Sequence, residues 1–414
     1  MQVIADLHLH SKYSRATSPH SDLGGLAEWA RIKGVGLLGT GDFTHPKWLK
    51  ELRQGLKPSG EGIFEHQGIK FMLTAEVSNI FELEGQERTK KVHTVLFAPS
   101  FEVVEQINDA IKGYGNLAED GRPILMMDIA ELLDIVEGIS KDIMFVPAHL
   151  WTPWFGIFGS KSGFDSLDEA FGKKASHIKA METGLSSDPE MNWMLSSLDN
   201  VSLISNSDAH SPPKLGREAN VFELPEITYK SITNAIITRE GFEKTYEFYP
   251  DEGKYHWDGH RKCDVWMDPV EARKLGNKCP KCGKPLTVGV MHRVVDLANR
   301  EQGYKPKGSV PFTSLVPLTT VIAAVRGRGE QTKGVRDEYF KLINYFGTEF
   351  KTLEAPKEEL RLATDKVLAD AIVDAREGKV HWRPGYDGVF GKLSFSKVEQ
   401  PAYSVKGQKS LMDF

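Results

Sequence analysis

The sequence predicts an α/β fold: a barrel of the (β/α) kind, followed by a small metal-binding unit and an α-rich region. Three observations carry this. In the first half, about seven short apolar runs alternate with helix-like stretches. Nearly every run borders a histidine or a carboxylate, and all three cysteines fall in one compact stretch of the second half.

The elements follow in chain order. Val3-Ile4-Ala5 runs into Asp6-Leu7-His8-Leu9-His10, the run Val35 to Thr40 into Asp42, and Phe71 to Ala75 into Glu76. Thr94 to Phe97 begins beside His93. Ile143 to Pro147 leads to His149, Ile178 to Met181 leads to Glu182, and Val201 to Ile204 leads to Asp208-Ala209-His210. Helices are expected at Leu23 to Lys33 behind Ser21 as a cap, at Val103 to Lys112, and at Ile129 to Val136 behind Asp128. In a parallel barrel the loops after the strands gather at one face, so these distant residues would meet there. A lone His or Asp is ordinarily a surface group, but composition alone does not place one beside nearly every strand. His20, His45, His66 and His177 lack that context and are expected to be ordinary polar residues.

His8, His10, Asp42, Glu76, His93, His149, Asp208 and His210 are therefore the candidate metal ligands, and Asp208, His210, Glu76 and Asp42 the candidate catalytic residues. Glu182 is a further candidate. Imidazoles mixed with carboxylates suit zinc, manganese or iron better than calcium. Two or three divalent ions are expected, with zinc the first choice and manganese, iron or magnesium the others. Two such ions about 4 Å apart can generate a nucleophile and clamp the oxygens of an in-line displacement at phosphorus. Asp6 is expected to orient a ligand imidazole without binding metal itself.

Asp6-x-His8-x-His10, the acid after Gly39-Thr40-Gly41, then Glu76, His93, His149 and Asp208-x-His210 resemble the polymerase and histidinol phosphatase (PHP) superfamily. That resemblance implies a distorted seven-stranded (β/α) barrel with two or three metal ions that hydrolyses phosphoesters. Two departures bear on the number of ions. Asp42 stands where a His is usual, and Ser14 to Ser18 offers no His where one is often found.

The second half opens with His260-x-x-Cys263 and Cys279-x-x-Cys282-Gly283, the spacing of a structural zinc knuckle. Three cysteines would leave one unpaired by disulfides, so a reduced protein with one structural zinc on His260, Cys263, Cys279 and Cys282 is expected, His256 being the rival fourth ligand. At 414 residues two or three domains are expected. The boundaries are 1–225 for the phosphoesterase region, 226–253 for a connecting helix and linker, 254–293 for the zinc unit, 294–393 for an α-rich DNA-binding region and 394–414 for a tail. Helices are expected at Tyr229 to Thr238, Val294 to Arg300, Leu315 to Val325, Val335 to Phe346 and Glu358 to Ala375. The net charge of -5 offers no global attraction to nucleic acid. The local cluster Lys305, Lys307, Arg326, Arg328, Lys333 and Arg336 does. No signal-like or membrane-spanning segment is visible, so a cytoplasmic, nucleoid-associated protein is expected.

The phosphoesterase pattern followed by Gly253-Lys254-Tyr255-His256, the Cys unit, Gly289-Val290-x-His292-Arg293-Val294 and Pro384-Gly385-Tyr386-Asp387-Gly388 resembles the endonuclease Q family of DNA-repair nucleases, found mainly in archaea. The resemblance implies cleavage 5′ to hypoxanthine, uracil or xanthine and at abasic sites, leaving a 3′-hydroxyl and a 5′-phosphate. An enzyme reading a damaged base in a duplex must extrude it and stack it on aromatic rings. Trp151, Trp154, Phe155 and Phe158 after His149 are the candidate wall, and Asn79, Asn206 and Lys12 are candidate polar contacts. Gln408, Leu411 and Phe414 resemble the box by which repair proteins dock on the sliding clamp PCNA. The alternatives are a phosphatase acting on a small metabolite, against which the zinc unit argues, and a non-catalytic DNA or clamp scaffold, against which the near-complete ligand set argues.

Overall fold

The computed structural model describes residues 1–83, 85 and 88–399. It is a mixed α/β fold on a central sheet, as the alternation of apolar runs predicts. The strands are not all parallel. Gln2–Asp6, Leu37–Gly39 and Ile69–Glu82 pair in parallel, but Ile69–Glu82 runs antiparallel to Thr89–Ala98, which runs antiparallel to Met144–Pro147. Only residues 83–88 join the long central pair, and a connection that short has no room for the crossover helix a parallel pair needs. Ala180–Glu182 and Ser202–Ile204 form a separate parallel pair. Asn220 stitches that pair to the first strand, its Nδ2 donating to the carbonyls of Ser205 and Ala5.

The sheet does not stop at residue 225. Ala219–Glu223 lies antiparallel beside Gln2–Asp6, Phe242–Phe248 follows it, and Phe312–Leu315 adds a parallel strand beyond. The strands bury both faces. Val3, Ala5, Leu37, Met72, Val95, Phe97, Met144, Val146, Ala180 and Ile204 meet in one cluster, so alternate residues of every expected strand point to a common interior. Their sequence neighbours, such as Leu38, Phe71, Leu73, Leu96, Phe145 and Met181, face the helices.

Helix Leu23–Lys33 has the expected bounds, but Asp22 caps it, accepting from Gly25 N, and Ser21 does not. Ser100 and Asp128 cap Phe101–Ile111 and Ile129–Ile139 in the usual way. The helix expected from Glu358 to Ala375 is two, Lys357–Ala363 and Lys366–Arg376, because Asp365 accepts from Val367 N and Leu368 N and restarts the chain. The helical layer is tied to the sheet side by a buried pair, Lys33 Nζ to Glu349 Oε2 at 2.5 Å, with Glu349 also accepting from Leu318 N and Tyr339 Oη. The turn Pro384–Gly388 docks on the linker, where Gly385 N donates to Asp251 O and Trp257 N to Gly385 O. Among the described residues no helix is long and apolar enough to cross a membrane.

Behind the strand ends lies a pair of buried acids. Glu247 accepts from Thr245 Oγ1 at 2.5 Å and from Thr183 Oγ1 at 2.8 Å. Burial pushes its carboxyl from 4.5 up to about 8, and burial with the Glu247 charge raises Glu218 well above the usual range. The folded protein thus keeps a proton that the unfolded chain releases. Glu247 makes stability fall as pH rises from 4.5 to about 8 and adds no slope above that. Glu247→Gln removes the charge and keeps the hydroxyl partners. Its melting temperature should exceed the parent's at pH 9 and approach it at pH 5, and parallel pH curves in scanning calorimetry would contradict this.

Candidate metal centre

His8 and His10 follow the first strand at alternate positions, so both project to one side of an extended chain. Leu9 bridges in parallel to Ala209, which delivers Asp208 beside them. Glu76 arrives from the middle of Ile69–Glu82, not from a strand end, and His93 is its diagonal neighbour in the antiparallel register where Ser78 faces His93. His149 follows Met144–Pro147. Asp42, His149 and Asp208 have left-handed φ values of 51°, 30° and 46°. Three non-glycine residues in that sparsely populated region, all at one site, mark backbone held in place by its surroundings.

Two groups of ligand atoms result, each with its atoms within 4.8 Å of one another: His8, His10, Glu76 and Asp208, and Glu76, His93 and His149. Glu76 spans both. Its Oε2 lies 3.1 Å from His10 Nε2 and 3.5 Å from His8 Nε2, while Oε1 lies 2.8 Å from His93 Nδ1 and 3.0 Å from His149 Nε2. Asp208 Oδ1 is 3.1 Å from His10 Nε2 and 3.8 Å from His8 Nε2.

The imidazoles are held from behind. Glu182 takes His8 Nδ1 at 3.0 Å and also accepts from His149 N and Asn206 Nδ2. Asp42 takes His10 Nδ1 at 3.0 Å with Oδ1 and gives Oδ2 to Ser11 N, Ser11 Oγ and Ser14 Oγ. Thr152 Oγ1 holds His149 Nδ1 at 2.9 Å. Such partners orient a ligand ring and set its tautomer. Asp42, expected as a ligand and catalytic acid, thus stands behind His10 with both oxygens committed. Asp6, expected to orient an imidazole, accepts from Ser207 N and Gly216 N, bracing the loop that carries Asp208, and burial pushes its carboxyl up to about 6. His210 stays outside both groups, its Nδ1 on Asp208 O at 2.9 Å and its ring 4.5 Å from that of His10.

The donor set fits divalent cations. His8 Nε2, His10 Nε2 and Asp208 Oδ1 are buried without a hydrogen-bond partner although they converge, an arrangement of donor atoms that a divalent cation would satisfy. The electrostatics call for positive charge between the imidazoles and the carboxylates, which protons on His8 and His10 supply and a divalent ion would displace. Burial alone would lower His8 and His10, yet Glu182, Glu76, Asp42 and Asp208 raise both well above their usual range. Burial would raise Glu76 and Asp208, yet the surrounding cations hold both far below theirs. His93, whose burial outweighs Glu76, is pushed down to about 3 and stays neutral, the state in which imidazole binds metal.

A cavity of about 190 Å³ opens beside His93, His149 and Asp208, lined also by Thr152, Trp154 and Phe155. Trp154 is 50% exposed, and the half-buried Phe155 ring lies 4.3 Å from that of His93. The other two aromatics of the expected wall are core residues. Trp151 is buried with Nε1 on Asn192 Oδ1, and buried Phe158 packs against it. Asn79 is also buried, donating to Met127 O. Asn206 is spent on Leu7 N and Glu182, and Lys12 on Glu51. Arg122, which the sequence reading missed, enters from a loop and donates to Glu76 Oε2 at 2.9 Å. Its only sequence signal is the turn Gly121-Arg122-Pro123, which does not say where the side chain points.

In the second half, one ligand atom each from His260, Cys263, Cys279 and Cys282 lies within 4.8 Å of the others, with Cys282 Sγ 3.5 Å from His260 Nδ1. Gly283, at φ 74°, makes the turn that lets Cys279 N reach Lys284 O. His256, the rival ligand, is buried elsewhere beside Asp251. Of the basic cluster, Arg326 is committed to Glu338 and Asp365, while Arg328, Lys333 and Arg336 are exposed. Gln408, Leu411 and Phe414 lie outside the described residues.

A family profile described as the MJ0043 C-terminal domain matches residues 317–379. The chain is 36% identical over 261 residues to the protein MJ0043 of Methanocaldococcus jannaschii, a match covering 61% of this chain and 32%, about a third, of that protein's length. It is 35% identical to PfuEndoQ, a lesion-specific endonuclease from Pyrococcus furiosus, covering 95% of each chain with a TM-score of 0.85. It is likewise 35% identical to an endonuclease Q solved with a 27-mer duplex substrate carrying an abasic lesion at the active site, covering 96% of this chain and 97% of that one with a TM-score of 0.84. Identity at that level over nearly the full length of both chains shows common descent, and the chain belongs to the endonuclease Q family.

Proposed function

We propose that this chain is a metal-dependent DNA-repair endonuclease that hydrolyses the phosphodiester 5′ to a deaminated base (hypoxanthine, uracil or xanthine) or at an abasic site, leaving a 3′-hydroxyl and a 5′-phosphate. The observation that carries this is the pair of ligand groups sharing Glu76, in a chain alike over 95% of its length to a lesion-specific endonuclease. We read the strands around the common interior as a distorted seven-stranded barrel of the PHP kind. His8, His10, Glu76 and Asp208 would hold one divalent ion and Glu76, His93 and His149 a second, while His260, Cys263, Cys279 and Cys282 would hold a structural zinc. The catalytic ions would act as Lewis acids on the phosphodiester and generate the nucleophile at neutral pH. The protein's own groups fix the geometry. Glu182, Asp42 and Thr152 lock the three imidazoles, and Trp154 and Phe155, facing the cavity, offer rings on which an extruded nucleotide stacks. Arg328, Lys333 and Arg336 would meet the phosphate backbone. Glu330, in the turn that bears Arg328, touches Lys214 at 3.2 Å, four residues from His210, so this surface flanks the site.

Metal-loaded protein should cut duplex containing deoxyinosine 5′ to the lesion and leave undamaged duplex and a chromogenic phosphomonoester intact. Turnover of the monoester alone would favour a metabolite phosphatase, and lesion binding without cleavage a scaffold.

The tail motif Gln408, Leu411 and Phe414 extends the proposal to PCNA: the three-residue spacing of Leu411 and Phe414 is that of an apolar plug which would form a helical turn on binding a clamp pocket. Truncation before Gln408 should leave cleavage of a short oligonucleotide unchanged and abolish stimulation by the cognate clamp. Equal clamp binding by the truncated chain in a titration would refute it.

A further inference from the structure

We propose that Arg122 is a catalytic residue that grips a non-bridging oxygen of the scissile phosphodiester. The proposal rests on the reading of this site as a phosphodiester hydrolase.

The backbone around Arg122 is clamped on both sides. Gly121 N donates to Tyr13 O at 3.0 Å, Gly121 O accepts from Thr44 Oγ1 at 3.1 Å, and Pro123 O accepts from Ser78 N at 3.0 Å. A Cβ on Gly121 would lie 2.3 Å from both Asp42 Oδ2 and Ser14 Oγ, so only glycine lets this loop close over the group behind His10. The loop is thereby built against the ligand scaffold itself, and Arg122 is delivered to Glu76 by construction.

The side chain is about three-quarters covered, at 26% exposure, and its Nη1 donates to Glu76 Oε2, the oxygen that also faces His10 Nε2 and His8 Nε2. A guanidinium carries five donors in a rigid fork, and Glu76 is the only hydrogen-bond partner of this one among the described residues. The remaining donors of a guanidinium held beside the ligand atoms, and not sealed from solvent, are open to an anion that completes the site. Holding a buried carboxylate at this site needs no guanidinium: Asp42, behind His10, is held by two hydroxyls, a backbone amide and that imidazole. A full positive charge beside atoms that would bind divalent ions is tolerated when an anion sits between them, and the planar fork matches the oxygens of a phosphate group. Negative charge grows on those oxygens as the phosphorus is attacked, so the contact strengthens along the reaction.

The test compares Arg122→Gln and Arg122→Lys with the parent in three measurements: metal content after loading, affinity for inorganic phosphate by calorimetry, and kcat/KM on deoxyinosine duplex. The Gln variant should keep the parent's metal content and melting temperature, bind phosphate at least about 10-fold more weakly and lose about 10²-fold in kcat/KM, mostly in kcat. The Lys variant keeps the charge and should recover part of both losses. Gln-variant phosphate affinity and kcat/KM within about threefold of the parent, or loss of metal in both variants, would overturn the role. A parent that binds phosphate but cuts no DNA would instead refute the substrate reading, and the calorimetric comparison would still judge Arg122.

Discussion

Asp208→Asn is expected to reduce lesion cleavage by about 10³-fold or more while leaving DNA binding nearly unchanged, the several kcal/mol that metal-ion catalysis supplies to phosphoryl chemistry. Asn keeps the volume and the strained backbone position, since Asn tolerates left-handed φ at least as well as Asp. It removes the charge. Asp208 Oδ1 is buried, has no hydrogen-bond partner, and lies 3.1 Å from His10 Nε2, so an uncharged amide there leaves the first group one anionic donor short. DNA affinity should persist because phosphate and base contacts come mostly from outside the ligand shell. His8→Ala should behave alike, with Glu182 left holding only His149 N and Asn206 Nδ2. Single-turnover cleavage after chelation and metal repletion is the measurement, and wild-type rates for either variant would remove these residues from the active site.

The second large effect is expected from replacing Cys279 and Cys282 together by Ser. The unit they belong to has only a small core of its own, the cluster of Val265, Met267, Ala272, Cys279 and Leu286. A core that small does not fold unaided, so the binding energy of a metal would stand in for hydrophobic burial. The consequences reach the catalytic face. Arg293, on the adjoining helix Val290–Leu297, donates to the carbonyls of Phe158 and Phe164 and pairs with Asp165, pinning the loop that presents Trp154 and Phe155. The double variant should lose one tightly held zinc per chain, melt at lower temperature and bind lesion DNA more weakly, while divalent metal added at the His8, His10, Glu76 and Asp208 group should still be taken up. Mass spectrometry of metal content decides it: zinc equal to the parent's would disprove the closed site.

Much of the site was legible because its signals are local. A run of β-branched and aliphatic residues that stops at a His or an acid shows both the strand and the chemistry at its end, and His-x-His needs only the alternation of an extended chain to point two rings one way. The grouping of His260, Cys263, Cys279 and Cys282 was legible for the same reason, since tight turns space the residues within each half. Other signals misled. The aromatics after His149 are alike in sequence, yet Trp151 and Phe158 are core while Trp154 and Phe155 face the cavity. The apolar run before Glu76 looked like a strand ending there, but the strand continues to Glu82 because Thr89–Ala98 returns beside it.

By itself the sequence determined which residues have the chemistry for the task, the α/β class, and the family resemblance, because residue type, period and spacing are properties of neighbouring positions. Only the tertiary structure decided how those residues divide: Glu76 shared between two groups, Asp42 and Glu182 placed behind imidazoles, Asp6 bracing a loop, and Arg122 brought from a turn onto Glu76. Glu182 and His8 are 174 positions apart, and Arg122 and Glu76 are 46 apart. Contacts at such separations follow from how whole strands and loops pack, and no local preference of the chain encodes them.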